Sequence, residues 1–341
     1  DAIADTALDV AEGFGEYIYN YGQKLTDTSK LLSIEYGGMN EALYELYDLT
    51  GNDKIKAAAH YFDEDSLFNN LAANKDVLNG KHANTTIPKF IGALKRYTVM
   101  TNNEEYYNAL TSTEQEDLEK YLTAAENFWD IVINHHTYIT GGNSQSEHFH
   151  AADSMYHYAE GVDDYAGSIT CETCNTYNML KLSRALYQVT KDKKYMDYYE
   201  NTYINAILSS QNPETGTTMY FQPMAPGYNK VFNRPYDEFW CCTGTGVENF
   251  SKLGDTFYFV EKENVYVNLY FSNTYDYARQ NLKLDMDANM PNSDEVTVTV
   301  SALDGTAVKE GTNLRFRIPD WVAGEAEILV NGKKQTITEA E

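Results

Sequence analysis

The four cysteines of this 341-residue chain fall in two short stretches, and that placement constrains the fold more than any other feature. Cys171-Glu172-Thr173-Cys174 holds one pair, and Phe239-Trp240-Cys241-Cys242-Thr243-Gly244-Thr245-Gly246 holds the other, about seventy positions later. Soft thiolates with a carboxylate nearby are what a zinc ion (Zn2+) binds, so the fold has to bring the two stretches together. Adjacent cysteines cannot easily bridge each other, and four in a chain this long do not make a disulfide framework. Metal-bound or reduced thiols are expected.

The residues around these stretches set the fold class. From Asp1 to about Gln211 the pattern is helical, beginning with a stripe of Ile3, Leu8, Phe14, Tyr17 and Ile18. Three pauses echo one another: Tyr47-Asp48-Leu49-Thr50-Gly51-Asn52-Asp53, Tyr97-Thr98-Val99-Met100-Thr101-Asn102-Asn103 and Tyr187-Gln188-Val189-Thr190-Lys191-Asp192. Thr50 and Thr101 stand 51 residues apart, and Thr101 and Thr190 stand 89 apart, one unit plus an insertion. Repeated helical hairpins of this size stack into a solenoid or close into a toroid. A polar loop from His82 to Pro88 precedes a helix carrying Phe90, Ile91 and Leu94, with Pro88 suited to its first turn. A second loop from Thr140 opens a long irregular segment up to about Thr170. Thr217 to Phe221 is strand-like, and Trp240 to Phe250 returns to helix through glycines. Beyond Asn264 the pattern is β, with alternation at Val265–Phe271, Val296–Val300 and Leu314–Ile318 and a hairpin signal at Asn331-Gly332. The expected domains are residues 1–260, helical, and 261–341, part of a β-sandwich. Asp1 in place of an initiator methionine suggests a trimmed chain, lacking an upstream helix and downstream strands.

Charge narrows the partners. The formal net charge is −25, with no basic cluster to interrupt it, which repels nucleic acid and anionic membrane surfaces. No apolar run reaches the length of a membrane span. A neutral oligosaccharide is compatible with such a surface, and the 29 tyrosines suit a sugar-binding cleft or general packing. A homodimer is left open. Reduced thiolates favour a cytoplasmic setting, and a trimmed N-terminus leaves export open.

Taken alone, the cysteines admit two readings. One is a structural knot of four thiolates, Cys171, Cys174, Cys241 and Cys242. The other is a catalytic site in which Glu172 is a ligand and one cysteine stays outside. A Cys-Cys dipeptide sends its side chains different ways unless the backbone bends sharply, and Thr243-Gly244-Thr245-Gly246 could supply the bend. Trp240 reads as packing that fixes this turn. His135 and His136 are adjacent at a helix end and do not share a face, which argues against a metal role.

Gly37-Gly38-Met39-Asn40-Glu41, the His82-Ala83-Asn84-Thr85 loop with Ile87-Pro88-Lys89, Glu172 to Leu182 and Phe239 to Gly246 together resemble the β-L-arabinofuranosidases of glycoside hydrolase families 127 and 146. The resemblance runs from about Ser33 to about Leu269. It implies a mainly α fold, an (α/α)6 barrel followed by a β-sandwich module, and a retaining hydrolase releasing L-arabinofuranose from β-linked plant glycans. It further implies Glu172, Cys174, Cys241 and Cys242 as zinc ligands, Cys241 as nucleophile and Glu147 as general acid/base, with Cys171 a bystander. Glu160 is the rival acid/base, because 25 residues separate Glu147 from Glu172, longer than the resemblance leads one to expect. Glu160 belongs to an acidic stretch with Asp163 and Asp164 that reads as a solvated face. His82 is the candidate substrate-binding histidine; Asn40 and Glu41 could bind sugar hydroxyls or cap a helix, and Tyr220 could line the cleft or pack. The alternative from another class is a non-catalytic carbohydrate-binding or scaffold protein with a structural Cys/Glu zinc site.

Overall fold

The structure, a computed structural model, describes residues 2–33, 37–160, 170–234 and 236–337. The chain divides into two units, residues 1–251 and 252–341. Asp163 and Asp164 lie outside the described residues.

The first unit is helical: α1 (Ala2–Gly22), α2 (Met39–Thr50), α3 (Asp53–His60), α4 (Asp65–Ala72), α5 (Ala83–Asn102), α6 (Glu104–Ala109), α7 (Ser112–His135), α8 (Thr173–Thr190), α9 (Lys194–Thr202) and α10 (Cys241–Ser251). The three echoed pauses are helix boundaries, each closed by local hydrogen bonds. Gly51 ends α2 in the left-handed region and donates its N–H to the Tyr47 carbonyl, while the Asn52 side chain accepts from Lys54 N–H and starts α3. The Asn103 side chain accepts from Tyr106 N–H to start α6. Lys191, also left-handed, donates to the Tyr187 carbonyl at the end of α8. Such caps satisfy backbone groups that a helix end leaves without partners.

The helices pack as α2 and α8 on α5, α4 and α5 on α7, and α8 on α9. Phe90 and Phe128 stack face to face with centroids 3.9 Å apart, and Phe68 meets Phe90 edge-on at 5.4 Å. The α1 stripe is helical but mostly outward: Ile18 is buried, whereas Ile3, Phe14 and Tyr17 are exposed.

Two expectations are corrected. The His82–Pro88 segment is not a loop, because α5 begins at Ala83 with His82 as its N-cap and Pro88 in its second turn. The His82 carbonyl accepts from Thr86 N–H and from the Thr85 and Thr86 hydroxyls, which starts the helix before the proline. Pro88 then removes only the hydrogen bond that the Asn84 carbonyl would receive. Thr217–Phe221 is not a ladder strand; it makes isolated bridges to Gln211, Phe232 and Glu172.

The second unit carries β1 (Tyr258–Glu261), β2 (Asn264–Val267), β3 (Asn273–Tyr277), β4 (Leu282–Ala288), β5 (Val296–Ala302), β6 (Asn313–Phe316), β7 (Leu329–Val330) and β8 (Lys333–Lys334). One sheet runs β1-β2-β6, with β2 and β6 parallel; another is the antiparallel meander β3-β4-β5. Val265 of β2 and Leu282 and Leu284 of β4 form the buried centre of the unit. The hairpin β7-β8 turns at Asn331 and Gly332, both at positive φ, as the sequence predicts. Helices followed by a β module are the expected order.

Asp63 holds the first helices together. It is 8% exposed and accepts from the Tyr44 hydroxyl (2.5 Å), the Arg96 guanidinium (2.8 Å) and the Asn40 amide (3.3 Å), joining α2, the α3–α4 turn and α5. Burial pushes its carboxyl up, and Arg96 opposes that shift. Removing the carboxylate leaves a buried guanidinium unpaired. Asp63→Ala is expected to lower the unfolding free energy by about 3–5 kcal/mol, measured by urea denaturation followed by far-ultraviolet circular dichroism.

Candidate functional site

A short crossing strip, residues 218–222, aligns the two cysteine-bearing helices. On one side Thr173 N–H donates to the Tyr220 carbonyl, the Thr173 hydroxyl donates to the Met219 carbonyl, and Gln222 N–H donates to the Cys171 carbonyl. These bonds fix the start of α8, for which Glu172 is the N-cap. On the other side Asn233 accepts from Thr218 N–H and donates to the Thr243 hydroxyl, tying the strip to the first turn of α10. A Cβ on Gly246 would lie 2.7 Å from the Thr218 hydroxyl, so only glycine lets α10 approach this closely.

The expected sharp bend at Thr243–Gly246 is absent. Cys241 and Cys242 instead occupy the first two positions of α10, and the glycines are part of that helix. Successive helical side chains diverge by about 100°. At a helix N-terminus both can still reach one centre.

Glu172, Cys174, Cys241 and Cys242 converge, with one ligand atom from each lying within 4.8 Å of the others. Cys174 Sγ and Cys242 Sγ are 3.0 Å apart; Glu172 Oε1 is 3.9 Å from Cys242 Sγ and 4.0 Å from Cys241 Sγ. Zinc–sulfur bonds of about 2.3 Å in a tetrahedron imply edges of roughly 3.8 Å, so a metal ion fits with small adjustments. The donor set matches the softness of zinc. Glu172 Oε2 is buried and has no hydrogen-bond partner, an orphan that a cation would satisfy. Burial pushes the Glu172 carboxyl up to about 9, with the Cys241 sulfur adding to the effect.

The sulfurs are unequal. Glu172, Cys174 and Cys242 are 1–2% exposed, whereas Cys241 is exposed. Hydrogen bonds from Cys174 first, then from Cys242, hold the Cys241 thiol far below its usual range. The Cys174 and Cys242 thiols are raised in turn, Cys174 chiefly by its bond with Cys241 and Cys242 chiefly by burial. Cys171 is outside this group. It is fully buried at φ 57, and its sulfur packs where a Cβ on Gly142 would otherwise sit. Burial pushes its thiol up, as befits an inert cysteine.

Glu147 lies beside the cluster. Its Oε1 accepts the Tyr220 hydroxyl at 2.5 Å, and its Oε2 is 3.2 Å from His82 Nε2. The Tyr220 oxygen is in turn 3.7 Å from Cys241 Sγ. Tyr220, His82, Glu147 and Cys241 are thereby one connected set. Glu160 is engaged elsewhere: its carboxylate accepts from Gln145, and its carbonyl accepts from Thr170 and Met224. Asn40 and Glu41 do not join the set either. Asn40 is buried and donates to Asp63 and to the Lys89 carbonyl, and Glu41 pairs with Lys181 at 2.7 Å. His135 and His136 pair with Asp153 and Asp76. Thr245, whose hydroxyl lies 3.3 Å from Cys174 Sγ, escapes a sequence reading. Its position three residues after Cys242 becomes a signal only once this segment is known to be helical.

The family profile for the β-L-arabinofuranosidase GH127 catalytic domain matches residues 2–255, and that for the GH127 middle domain matches residues 264–341. A non-reducing end β-L-arabinofuranosidase from Bifidobacterium longum subsp. longum is 23% identical over 225 residues, covering 62% of this chain and 33% of its own. A solved GH127 β-arabinofuranosidase superposes with a TM-score of 0.63 at 20% identity, over 87% of this chain and 47% of its own. A GH127 β-L-arabinofuranosidase from Geobacillus stearothermophilus T6 gives a TM-score of 0.59 at 20% identity, over 87% and 49%. The chain spans a third of the curated relative and about half of each solved chain.

The cluster geometry makes ligand choice testable. In calorimetric titration with Zn2+, Glu172→Ala is expected to weaken binding by more than the roughly 10–100-fold that loss of an outer-shell partner costs. Cys171→Ala is expected to leave affinity and stoichiometry unchanged; the reverse pattern would establish a four-thiolate knot.

Proposed function

We propose that this chain, which belongs to the GH127 family of β-L-arabinofuranosidases, is the catalytic part of a retaining glycoside hydrolase. Its substrate would be L-arabinofuranose β-linked to a plant glycan or glycoprotein, cleaved at the mouth of an (α/α)6 helical barrel. The observation that carries the reading is the link from Cys241 through the Tyr220 hydroxyl to Glu147. A nucleophile and a proton donor sharing one phenol can flank a single glycosidic bond.

In the proposed reaction the Cys241 sulfur attacks the anomeric carbon while Glu147 gives its proton to the departing oxygen, leaving the sugar attached to sulfur. Water then attacks the same carbon, Glu147 takes its proton, and the carbon–sulfur bond breaks to restore the thiolate. Two displacements on one carbon retain its configuration. A zinc ion held by Glu172, Cys174, Cys241 and Cys242 would keep their sulfurs deprotonated at neutral pH. Exposure and the lowest thiol pKa in the cluster favour Cys241 over Cys242 as the reacting sulfur. The phenol of Tyr220 orients Glu147, and His82 holds the other carboxylate oxygen. Free thiolates at the centre suit a reducing compartment.

Cys241→Ser is expected to cut kcat on p-nitrophenyl β-L-arabinofuranoside by about 10^3-fold or more. Undiminished turnover would remove Cys241 as nucleophile. Glu147→Gln should lower kcat/KM, which reports the first displacement, by about 10^2–10^4-fold on a disaccharide, whose leaving oxygen needs a proton, and by much less on the p-nitrophenyl glycoside. Equal losses on both substrates would argue against an acid role for Glu147.

A further inference from the structure

Trp240 does not pack beneath the cysteines as its position suggests. It is 43% exposed, and its neighbour Phe239 is 78% exposed. The Trp240 ring stands edge-to-face against Tyr220, with centroids 6.2 Å apart, and the Phe239 ring passes over Gly244, whose added Cβ would be 3.9 Å away. Two large aromatic faces therefore remain in solvent immediately before the exposed Cys241. Leaving such area wet forgoes favourable apolar burial that a ligand could recover.

The walls around Cys241 differ in chemistry. Glu147, His82 and the Tyr220 hydroxyl offer hydrogen bonds to the hydroxyls of a furanose ring. Trp240 and Phe239 offer broad aromatic faces, and they are the more exposed side. Tyr220 points its hydroxyl at Glu147 and Cys241 while its ring packs against that of Trp240, so Trp240 adjoins the reacting groups through Tyr220. The sugar transferred to sulfur must lie among the hydrogen-bonding groups. The part that stays partly solvated is the leaving group, and the C–H face of a sugar ring stacks on an aromatic face.

We propose that Trp240, with Phe239 beside it, is the platform on which the leaving-group sugar stacks, so that it selects glycosides whose aglycone is itself a sugar. This rests on the hydrolase reading above. The test uses the zinc-loaded protein, a β-L-arabinofuranosyl disaccharide and methyl β-L-arabinofuranoside. Trp240→Ala is expected to lower kcat/KM about tenfold on the disaccharide while leaving the methyl glycoside within about twofold, and Trp240→Phe should keep most of the disaccharide activity. Equal loss on both glycosides, or no loss on either, would overturn the platform. A second measurement is independent of turnover. In a Trp321→Phe background the remaining tryptophans are Trp240 and the buried Trp129. A thio-linked disaccharide, bound but not cleaved, is expected to quench the emission, and absence of quenching would also overturn the proposal. If the wild type cleaves neither glycoside, the hydrolase reading fails while this titration still decides the platform.

Discussion

Three sulfurs and a carboxylate held against one another, all but Cys241 away from water, cannot all ionise without a compensating positive charge. That constraint governs the helical unit. Burial pushes the Glu172 carboxyl up to about 9, and two of the three thiols are held up while the third is held down. The fold supplies part of the compensation itself, because Cys174 lies in the first turn of α8 and Cys241 and Cys242 open α10. Helix N-termini carry partial positive charge and favour thiolates. The crossing strip at 218–222 serves this end, presenting carbonyls to Thr173 and a close surface to Gly246 so that both helix starts face one point.

The loop that delivers Glu147 is strained for the same purpose. Ser144, Ser146 and Glu147 all have positive φ, at 73°, 48° and 65°. Such conformations cost about 1–3 kcal/mol each for residues other than glycine and persist only where surroundings impose them. The surroundings are specific. The Asn175 amide donates to the Ser144 hydroxyl, Ala83 N–H donates to the Glu147 carbonyl, and Phe149 is locked between the N–H of Gly80 and the carbonyl of Lys81. α5 and α8 thus hold the strained loop from two sides. The start of α8 therefore carries two of the metal-ligand candidates, Glu172 and Cys174, and through Asn175 also braces the loop that bears Glu147.

How much of this was legible depended on whether the signal was local. The capped pauses at Gly51, Asn103 and Lys191 could be read because a helix end is decided by a few adjacent residues. The cysteine segments could be paired because four rare side chains in two places leave few arrangements. Pro88 misled because its cost falls on the Asn84 carbonyl alone, while the bonds that start α5 at His82 come from threonines that look like loop residues. Asn40 was equally opaque: its partners Asp63 and Lys89 are distant in sequence, and a buried asparagine is indistinguishable in one dimension from one that meets a ligand.

The glycines after Cys242 show where local reasoning failed most usefully. A bend was expected because extended residues alternate sides by about 180°, so neighbouring cysteines would face away from each other. A helix reduces that angle to about 100°. One sulfur then turns into the protein while its neighbour stays at the surface, both still within reach of Glu172. The difference between Cys241 and Cys242 is therefore a property of helical geometry at the first turn of α10. It also depends on Gly246, because only a residue without a Cβ there lets α10 approach Thr218 this closely, with the inward sulfur enclosed.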